Sequence, residues 1–200
     1  MRCSTASRSR SGPPDEGLAS DAVAAGDWLE RFDGWDDAVD DWFEQWRGNP
    51  IVDHLFYGAS ELGDHSRLWH LLATGQAAWS LRNERAALRL VLSLAVESGL
   101  VNGVIKSVFN RSRPIQEAER PLRLRIPRTS SFPSGHASSA SMAAVLLSDR
   151  SKLGVVYGAV AAIVAVSRIH VRIHHASDVA GGLVIGSAMG ALARRVAPLR

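Results

Sequence analysis

Apolar residues first recur at helical spacing and then gather into longer runs further along the chain. Near the start, intervals of three and four residues place one stripe on a single helical face: Trp28, Phe32, Trp35, Val39, Trp42 and Trp46. Acidic residues occupy the other positions of this stretch: Asp33, Asp36, Asp37, Asp40, Asp41 and Glu44. Gly48-Asn49-Pro50 ends this predicted helix, and Ile51–Leu62 is predicted to form another.

Two interpretations are open for what covers this aromatic stripe. Tryptophan suits a membrane interface because its apolar ring carries one polar N–H. The acidic face argues against that setting, since an interfacial helix usually presents Lys or Arg to anionic lipid. The alternative is that the stripe packs on protein, either on the chain's own bundle or on a second copy, which would give a homo-oligomer through this helix.

Five apolar runs follow from residue 66 onward: Leu68–Leu81, Ala86–Ile105, Ala137–Ser148, Leu153–Ser167 and Val179–Ala193. None of them reaches the roughly 18 uninterrupted apolar residues of a clear membrane span. Five in succession, with linkers as short as four residues and many small residues, nevertheless favour helices packed in lipid. Glycines in the last run would destabilise a helix in water but are normal in membranes: Gly181, Gly182, Gly186 and Gly190.

The pattern therefore predicts an all-α fold, a helical transmembrane bundle of about five apolar helices preceded by amphipathic helices. A soluble all-α domain is the alternative. Residues 1–25 are predicted to be a disordered polar tail. Residues 26–64 are predicted to form the acidic, aromatic amphipathic helices, and residues 65–200 the membrane-embedded domain.

Charge divides the chain at the same place. Residues 1–65 carry 14 acidic and 5 basic side chains, whereas residues 66–200 carry 6 acidic and 18 basic ones. The basic residues lie at helix ends without an aromatic platform, so no nucleic acid partner is expected. The one cysteine, Cys3, excludes an intrachain disulfide and a cysteine-based zinc site.

Polar clusters lie at the ends of these apolar runs. The first places Lys106 seven residues before Arg113-Pro114, although basic residues at helix ends are also ordinary anchors. The second is Phe132-Pro133-Ser134-Gly135-His136, which opens the third apolar run. A helix start offers backbone N–H groups, a hydroxyl and a close-approach glycine to a phosphate, but Ser134 is equally a candidate N-cap.

The third cluster runs from Ser167-Arg168 to His174 and Asp178. His174 and Asp178 stand four residues apart, so the carboxylate can reach the imidazole on one helical face. Such a contact fixes the imidazole tautomer and leaves the other nitrogen for use as a nucleophile or base. His170 and His174 are also four apart, which leaves a metal site as an alternative, but Arg168 and Arg172 crowd it with positive charge.

Together the three clusters resemble the motifs of the type 2 phosphatidic acid phosphatase superfamily, which includes the vanadium haloperoxidases. The family pattern is Lys-x6-Arg-Pro, then Pro-Ser-Gly-His, then Ser-Arg-x5-His-x3-Asp. This chain contains all of it, from Lys106 to Asp178. By this resemblance, His174 is the nucleophile, Asp178 orients it, and His136 is the general acid and then the base. The resemblance also implies that five residues hold the phosphoryl oxygens: Lys106, Arg113, Ser134, Gly135 and Arg168.

The family resemblance implies a membrane phosphatase that hydrolyses a lipid or polyprenyl phosphate through a phosphohistidine, with no metal or other cofactor. Substrates of the decaprenylphosphoryl-phosphoribose or undecaprenyl diphosphate type are expected. The alternatives are a phosphatidic acid or phosphatidylglycerol phosphate phosphatase, a vanadate-dependent haloperoxidase, and a catalytically silent binding protein of the same fold. A multi-pass protein of the cell membrane is expected. The Lys106 motif follows two apolar runs, so the site is expected on the same side of the membrane as the acidic residues 1–65. Because Met1–Pro14 lacks the apolar core of a secretory signal, that side is expected to be the cytoplasm.

Overall fold

The computed structural model describes residues 32–79, 84–115, 121–122, 124–149 and 151–199, so the predicted polar tail at 1–25 lies outside the described residues. These residues form helices joined by turns and loops, with no strand among them. The helices are α1 (32–44), α2 (Pro50–Gly63), α3 (Arg67–Trp79), α4 (Glu84–Val108), α5 (Gly135–Leu147), α6 (Gly154–His170) and α7 (Ala176–Val196). The predicted all-α fold is confirmed, and the described part of each apolar run lies in a helix or at its cap.

Polar residues at the helix starts explain several of these boundaries. The Asn49 side chain accepts hydrogen bonds from the backbone of Ile51 and Val52, and Pro50 occupies the first turn of α2. Ser134 caps α5 by accepting from the Ala137 backbone N–H at 3.4 Å. Asp178, in the first turn of α7, accepts from the His175 backbone N–H at 2.9 Å. These caps begin the helices at the polar clusters that the sequence singles out.

Two of the described helices, Glu84–Val108 and Ala176–Val196, are long and apolar enough to cross a membrane, as judged by length and composition. Gly154–His170 is a shorter apolar helix. Within α4, Gly99–Ile105 adopts a π-helical turn before the last residues return to α-helix. A π turn of this kind often marks a functional site, because it changes which side chains face a neighbour.

Helix α5 packs most extensively against α7. Its small side chains are almost all buried, which allows the neighbouring backbones to approach closely. A Cβ atom added at Gly182 would lie 2.4 Å from the Ser134 carbonyl oxygen, and one at Gly186 only 1.9 Å from that of Ser138. The glycines of the last apolar run therefore hold the second polar cluster against the third.

Helix α1 presents its aromatic stripe outward. Trp35, Trp42 and Trp46 are 43–56% exposed, whereas Asp36 and Phe43 are buried. The helix contacts the bundle through part of its acidic face and through Phe43 and Val39, so among the described stripe residues only Val39 packs on the chain's own bundle. A hydrophobic periodicity identifies the apolar face of a helix but not whether protein or lipid covers it.

Candidate active site

A cavity of about 470 Å³ lies at the end of the bundle where α4 ends and α5 begins. Residues of all three polar clusters line it, namely Lys106, Gly135, His136 and His174. Lys106 lies just after the π turn of α4, His136 in the first turn of α5, and His174 in the connection between α6 and α7. The structure therefore brings the three sequence clusters together.

His174 and Asp178 form a buried pair beside this cavity. His174 Nδ1 lies 3.5 Å from Asp178 Oδ2, and the two side chains are 2% and 0% exposed. The Asp178 carboxylate is held in turn by the His175 backbone N–H at 2.9 Å and by Arg111 Nη1 at 2.7 Å. The carboxylate thus approaches Nδ1 and leaves Nε2 of His174 on the other edge of the ring.

Two arginines place positive charge around His174. Arg113 Nη1 lies 3.3 Å from His174 Nε2, and the same guanidinium donates to the carbonyl oxygens of Ile173 and Pro127. Arg168 is almost fully buried and donates to the Ser60 hydroxyl. Burial lowers the pKa of His174 to about 3, and the charges of Arg168 and Arg113 act in the same direction. His174 is therefore a neutral imidazole at physiological pH.

Ser134 of the second cluster begins α5 and connects it to the start of α7. Ser134 is fully buried and caps α5 through its hydroxyl, while its backbone N–H donates to the Asp178 carbonyl oxygen at 3.0 Å. A Cβ atom added at Gly135 would lie 3.1 Å from Asn102 Oδ1, so a glycine keeps this part of the cavity open. Phosphate binding by Ser134 and Gly135 stays a prediction.

His136 contacts a turn that the sequence motifs do not include. Its Nε2 atom lies 3.0 Å from Asp64 Oδ1 and 3.2 Å from the Ser60 carbonyl oxygen. Asp64 belongs to the short turn Asp64–Ser66 between α2 and α3, and it lines the same cavity. The sequence offers only a polar break between two helices as a signal for this residue.

A second unpredicted group supports Asp178 from α1. Asp36 accepts from Arg111 Nη2 at 2.6 Å and from the Ser177 backbone N–H at 2.7 Å. Arg111 lies inside the first cluster, two residues before Arg113. Asp36 is 75 residues earlier in the chain, so no sequence spacing predicts that the two side chains meet. The acidic face of α1 is thus linked to the carboxylate beside His174.

The metal alternative at His170 and His174 finds no support in the geometry. His170 Nε2 lies 2.8 Å from Asp53 Oδ1, and its ring packs against Phe56 with centroids 4.7 Å apart. Among the residues that the structure describes, no three His, Cys, Asp or Glu side chains are grouped to hold a metal ion. His170 therefore belongs to the packing between α2 and α6.

The fold and this cavity define a helical protein with a cationic, imidazole-bearing site of the kind that binds phosphate esters. The chain belongs to the PAP2 superfamily, whose family pattern matches residues 86–200. It is 32% identical over 135 residues to the decaprenylphosphoryl-5-phosphoribose phosphatase of Mycobacterium tuberculosis, and the match covers 68% of this chain and 75% of that protein.

Solved structures show the same fold. The chain resembles the transmembrane PAP2-type phosphatidylglycerolphosphate phosphatase of Bacillus subtilis with a TM-score of 0.64 and 23% identity, covering 82% of this chain and 85% of that one. It resembles Aquifex aeolicus LpxE with a TM-score of 0.65 and 25% identity, covering 79% and 93%. The protein is a membrane lipid phosphate phosphatase.

Proposed function

We propose that the protein hydrolyses a phosphomonoester on a polyprenyl-linked sugar, with His174 as the nucleophile and His136 as the proton donor. The observation that carries this proposal is the cavity in which Lys106, His136 and His174 meet. The curated relative supports the substrate class, because its name identifies a decaprenylphosphoryl-5-phosphoribose as its substrate. No step of the reaction needs a group from outside the described residues and water.

The charges around the cavity suit a phosphate monoester dianion. Lys106, Arg113 and Arg168 bring three cations to one end of the bundle, and the start of α5 adds backbone N–H groups. Phosphoryl transfer spreads negative charge over the equatorial oxygens, so fixed cations stabilise its transition state more than covalent assistance would. Ser134 and Gly135 complete this cradle at the helix start.

The first step forms a bond between His174 Nε2 and phosphorus while the bond from phosphorus to the leaving oxygen breaks. His136 gives its proton to that oxygen, since an alkoxide is a poor leaving group. In the second step His136 takes a proton from water, the water oxygen attacks phosphorus, and the P–N bond to His174 breaks. Phosphate leaves, and both imidazoles return to their starting states. Asp178 orients His174 and stabilises the positive charge of its ring while the phosphoryl group is attached.

The test measures phosphate release in detergent from a panel of lipid phosphates, in the presence of EDTA. The panel contains a polyprenyl phosphosugar, a polyprenyl diphosphate, phosphatidic acid and phosphatidylglycerol phosphate. We expect turnover that resists EDTA, is inhibited by orthovanadate, and is fastest on the phosphosugar. Faster turnover of another substrate would contradict the proposed substrate class and identify that substrate instead. Peroxide-dependent bromide oxidation would point to haloperoxidase chemistry, and inertness on all substrates to a binding protein.

The proposed setting is a multi-pass arrangement in the cell membrane with the cavity facing the cytoplasm. The chain leaves the end of α2 through α3 and returns through α4, which carries Lys106 near its end. The cavity is therefore expected on the same side of the membrane as α1 and α2. The test is labelling of single cysteines by an impermeant reagent in intact cells, with Cys3→Ser as background. Arg128→Cys reports the cavity side and Lys152→Cys the opposite end of the bundle. Labelling of Arg128→Cys and protection of Lys152→Cys would contradict the proposed orientation.

A further inference from the structure

The turn between α2 and α3 brings a carboxylate, Asp64, to the cavity. Asp64 Oδ1 lies 3.0 Å from His136 Nε2, on the part of the molecule that the family motifs do not cover. We propose that Asp64 is a positioning residue for His136, so that two carboxylate–imidazole pairs flank the cavity. This inference rests on the proposed function, because it assigns a partner to the proposed proton donor.

The contacts of His136 fix its tautomer. Both atoms near Nε2 are acceptors, namely Asp64 Oδ1 at 3.0 Å and the Ser60 carbonyl oxygen at 3.2 Å. Nε2 must therefore carry a hydrogen and donate it. The neutral ring then has its lone pair on Nδ1, and the protonated ring has its second hydrogen there. Nδ1 is the atom that gives a proton to the leaving oxygen and later takes one from water, while Asp64 exchanges no proton.

Burial and the charge of Arg168 both disfavour a protonated His136, and the charge of Asp64 acts in the opposite direction. The cations that hold a phosphate also repel an imidazolium, and Arg168 acts directly on His136. Burial alone would raise the pKa of Asp64, but its hydrogen bond to His136 and the nearby charges of His136 and Arg168 lower it. Asp64 therefore remains an anion against the His136 ring and opposes this repulsion.

The backbone around Asp64 is shaped for this contact. A Cβ atom added at Gly63 would lie 2.7 Å from His136 Cδ2 and 3.0 Å from Val164 Cγ1, so only glycine lets the turn approach the ring. His65 and Ser66 then adopt positive φ angles of 52° and 56°. Such angles are uncommon for residues with side chains. The turn accepts them while holding Asp64 beside His136.

The experiment compares leaving groups in single-turnover reactions, which report the first chemical step alone. Asp64→Asn keeps the shape of the side chain but removes its charge. We expect the release of an alkyl leaving group from the lipid phosphate to slow about 10²-fold. Release of p-nitrophenol from p-nitrophenyl phosphate should change less than about threefold, since that leaving group needs no proton. Glu61→Gln, an exposed acid one helical turn earlier, is the matched control and should leave both rates unchanged.

Equal slowing of both leaving groups by Asp64→Asn would overturn the proposal, because it would indicate a purely structural role. Unchanged release of the alkyl group would overturn it as well. If Asp64→Asn fails to fold, ¹⁵N NMR of His136 in the wild-type protein decides, since a neutral ring with its hydrogen on Nδ1 contradicts the assigned contacts. Retained turnover in His174→Ala would instead reject the proposed function.

Discussion

Arg111 joins Asp178 to Asp36, with hydrogen bonds of 2.7 Å and 2.6 Å from its two terminal nitrogens. The carboxylate beside His174 is therefore anchored through α1, a helix outside the matched family region. A carboxylate orients an imidazole only if it is itself held in place. The acidic face of α1 thus contributes to the geometry of the proposed nucleophile.

We expect Arg111→Gln and Asp36→Asn to lower kcat while changing KM less than about threefold. A hydrogen bond to a charged group contributes about 1.5–3 kcal/mol, which corresponds to roughly 10–100-fold in rate. The measurement is steady-state phosphate release in detergent. Asp41→Asn, on the exposed side of the same helix, is the control and should keep the wild-type kcat. An increase in KM with an unchanged kcat would show that Arg111 contributes to substrate binding rather than to the orientation of His174.

Substitution of the two neighbouring histidines should separate their functions. His174→Ala should lower kcat by at least about 10³-fold, as expected when a nucleophile is removed. His175→Ala should be mild, because His175 holds Asp178 through its backbone N–H, which the substitution keeps. The readouts are phosphate release and trapping of an acid-labile phosphoenzyme. An equal loss in both variants would mean that the nucleophile is assigned to the wrong imidazole.

The pKa of His174 predicts a dependence of stability on pH. An unfolded histidine binds a proton near pH 6.5, whereas burial holds the folded pKa at about 3. The unfolded state therefore binds more protons as pH falls, so this contribution to stability is full above pH 6.5 and is lost progressively between pH 6.5 and 3. Thermal midpoints in detergent at pH 7.5 and 5.0 measure it.

The wild-type protein should lose more of its thermal midpoint over this range than His174→Gln, which cannot titrate. Other buried histidines are present in both proteins and cancel in the comparison. Equal losses in the two proteins would indicate that His174 accepts a proton in the folded state.

The contact between α5 and α7 predicts a contrast between two glycines. Gly186→Ala would push a Cβ atom against the Ser138 carbonyl, and such overpacking typically costs about 1–3 kcal/mol. Gly158 in α6 has no atom within 4 Å of an added Cβ, so Gly158→Ala is a matched control in another helix. Its thermal midpoint should be unchanged or slightly raised, because alanine favours helix. A midpoint for Gly186→Ala equal to that of Gly158→Ala would contradict the tight packing.

The exposed aromatic face of α1 should lie in the membrane interface. In a Cys3→Ser background, an environment-sensitive fluorophore on Trp35→Cys should shift to the blue in lipid vesicles, because the tryptophan positions enter the headgroup region. The same fluorophore on Asp41→Cys should stay water-exposed. If pyrene on Trp35→Cys forms excimers that persist as lipid is added, a second copy of the chain covers this face, as in the homo-oligomer that the sequence leaves open.

The sequence predicts the helices well because their apolar runs are long and their ends are marked by polar residues. The run Val179–Ala193, for example, lies inside the observed helix Ala176–Val196. The motifs also contain four residues that line the cavity, Lys106, Gly135, His136 and His174, whereas most of the lining comes from residues outside the motifs. Asp36 and Asp64 escape this kind of reasoning, because Asp36 meets Arg111 from 75 residues away. Their contacts arise only once the helices have packed.

The tryptophan stripe shows a second limit. Its spacing predicts a helix, but three tryptophans of the apolar face are exposed, and buried Asp36 meets Arg111 and Ser177. In a membrane protein, lipid competes with the protein interior for apolar side chains. Polar groups then find partners within the protein, because lipid offers them none.

The π turn at Gly99–Ile105 sets the register of everything that follows it in α4. Relative to a regular α-helix, a π turn accommodates one extra residue. If the same residues were wound as regular α-helix, the extra residue would no longer be accommodated and Lys106 would be rotated by roughly 100° about the helix axis, since successive residues are spaced 3.6 to a turn. The lysine would then face away from the cavity while the rest of the bundle kept its shape. The winding of this short segment, as much as the identity of Lys106, decides whether a positive charge reaches the cavity.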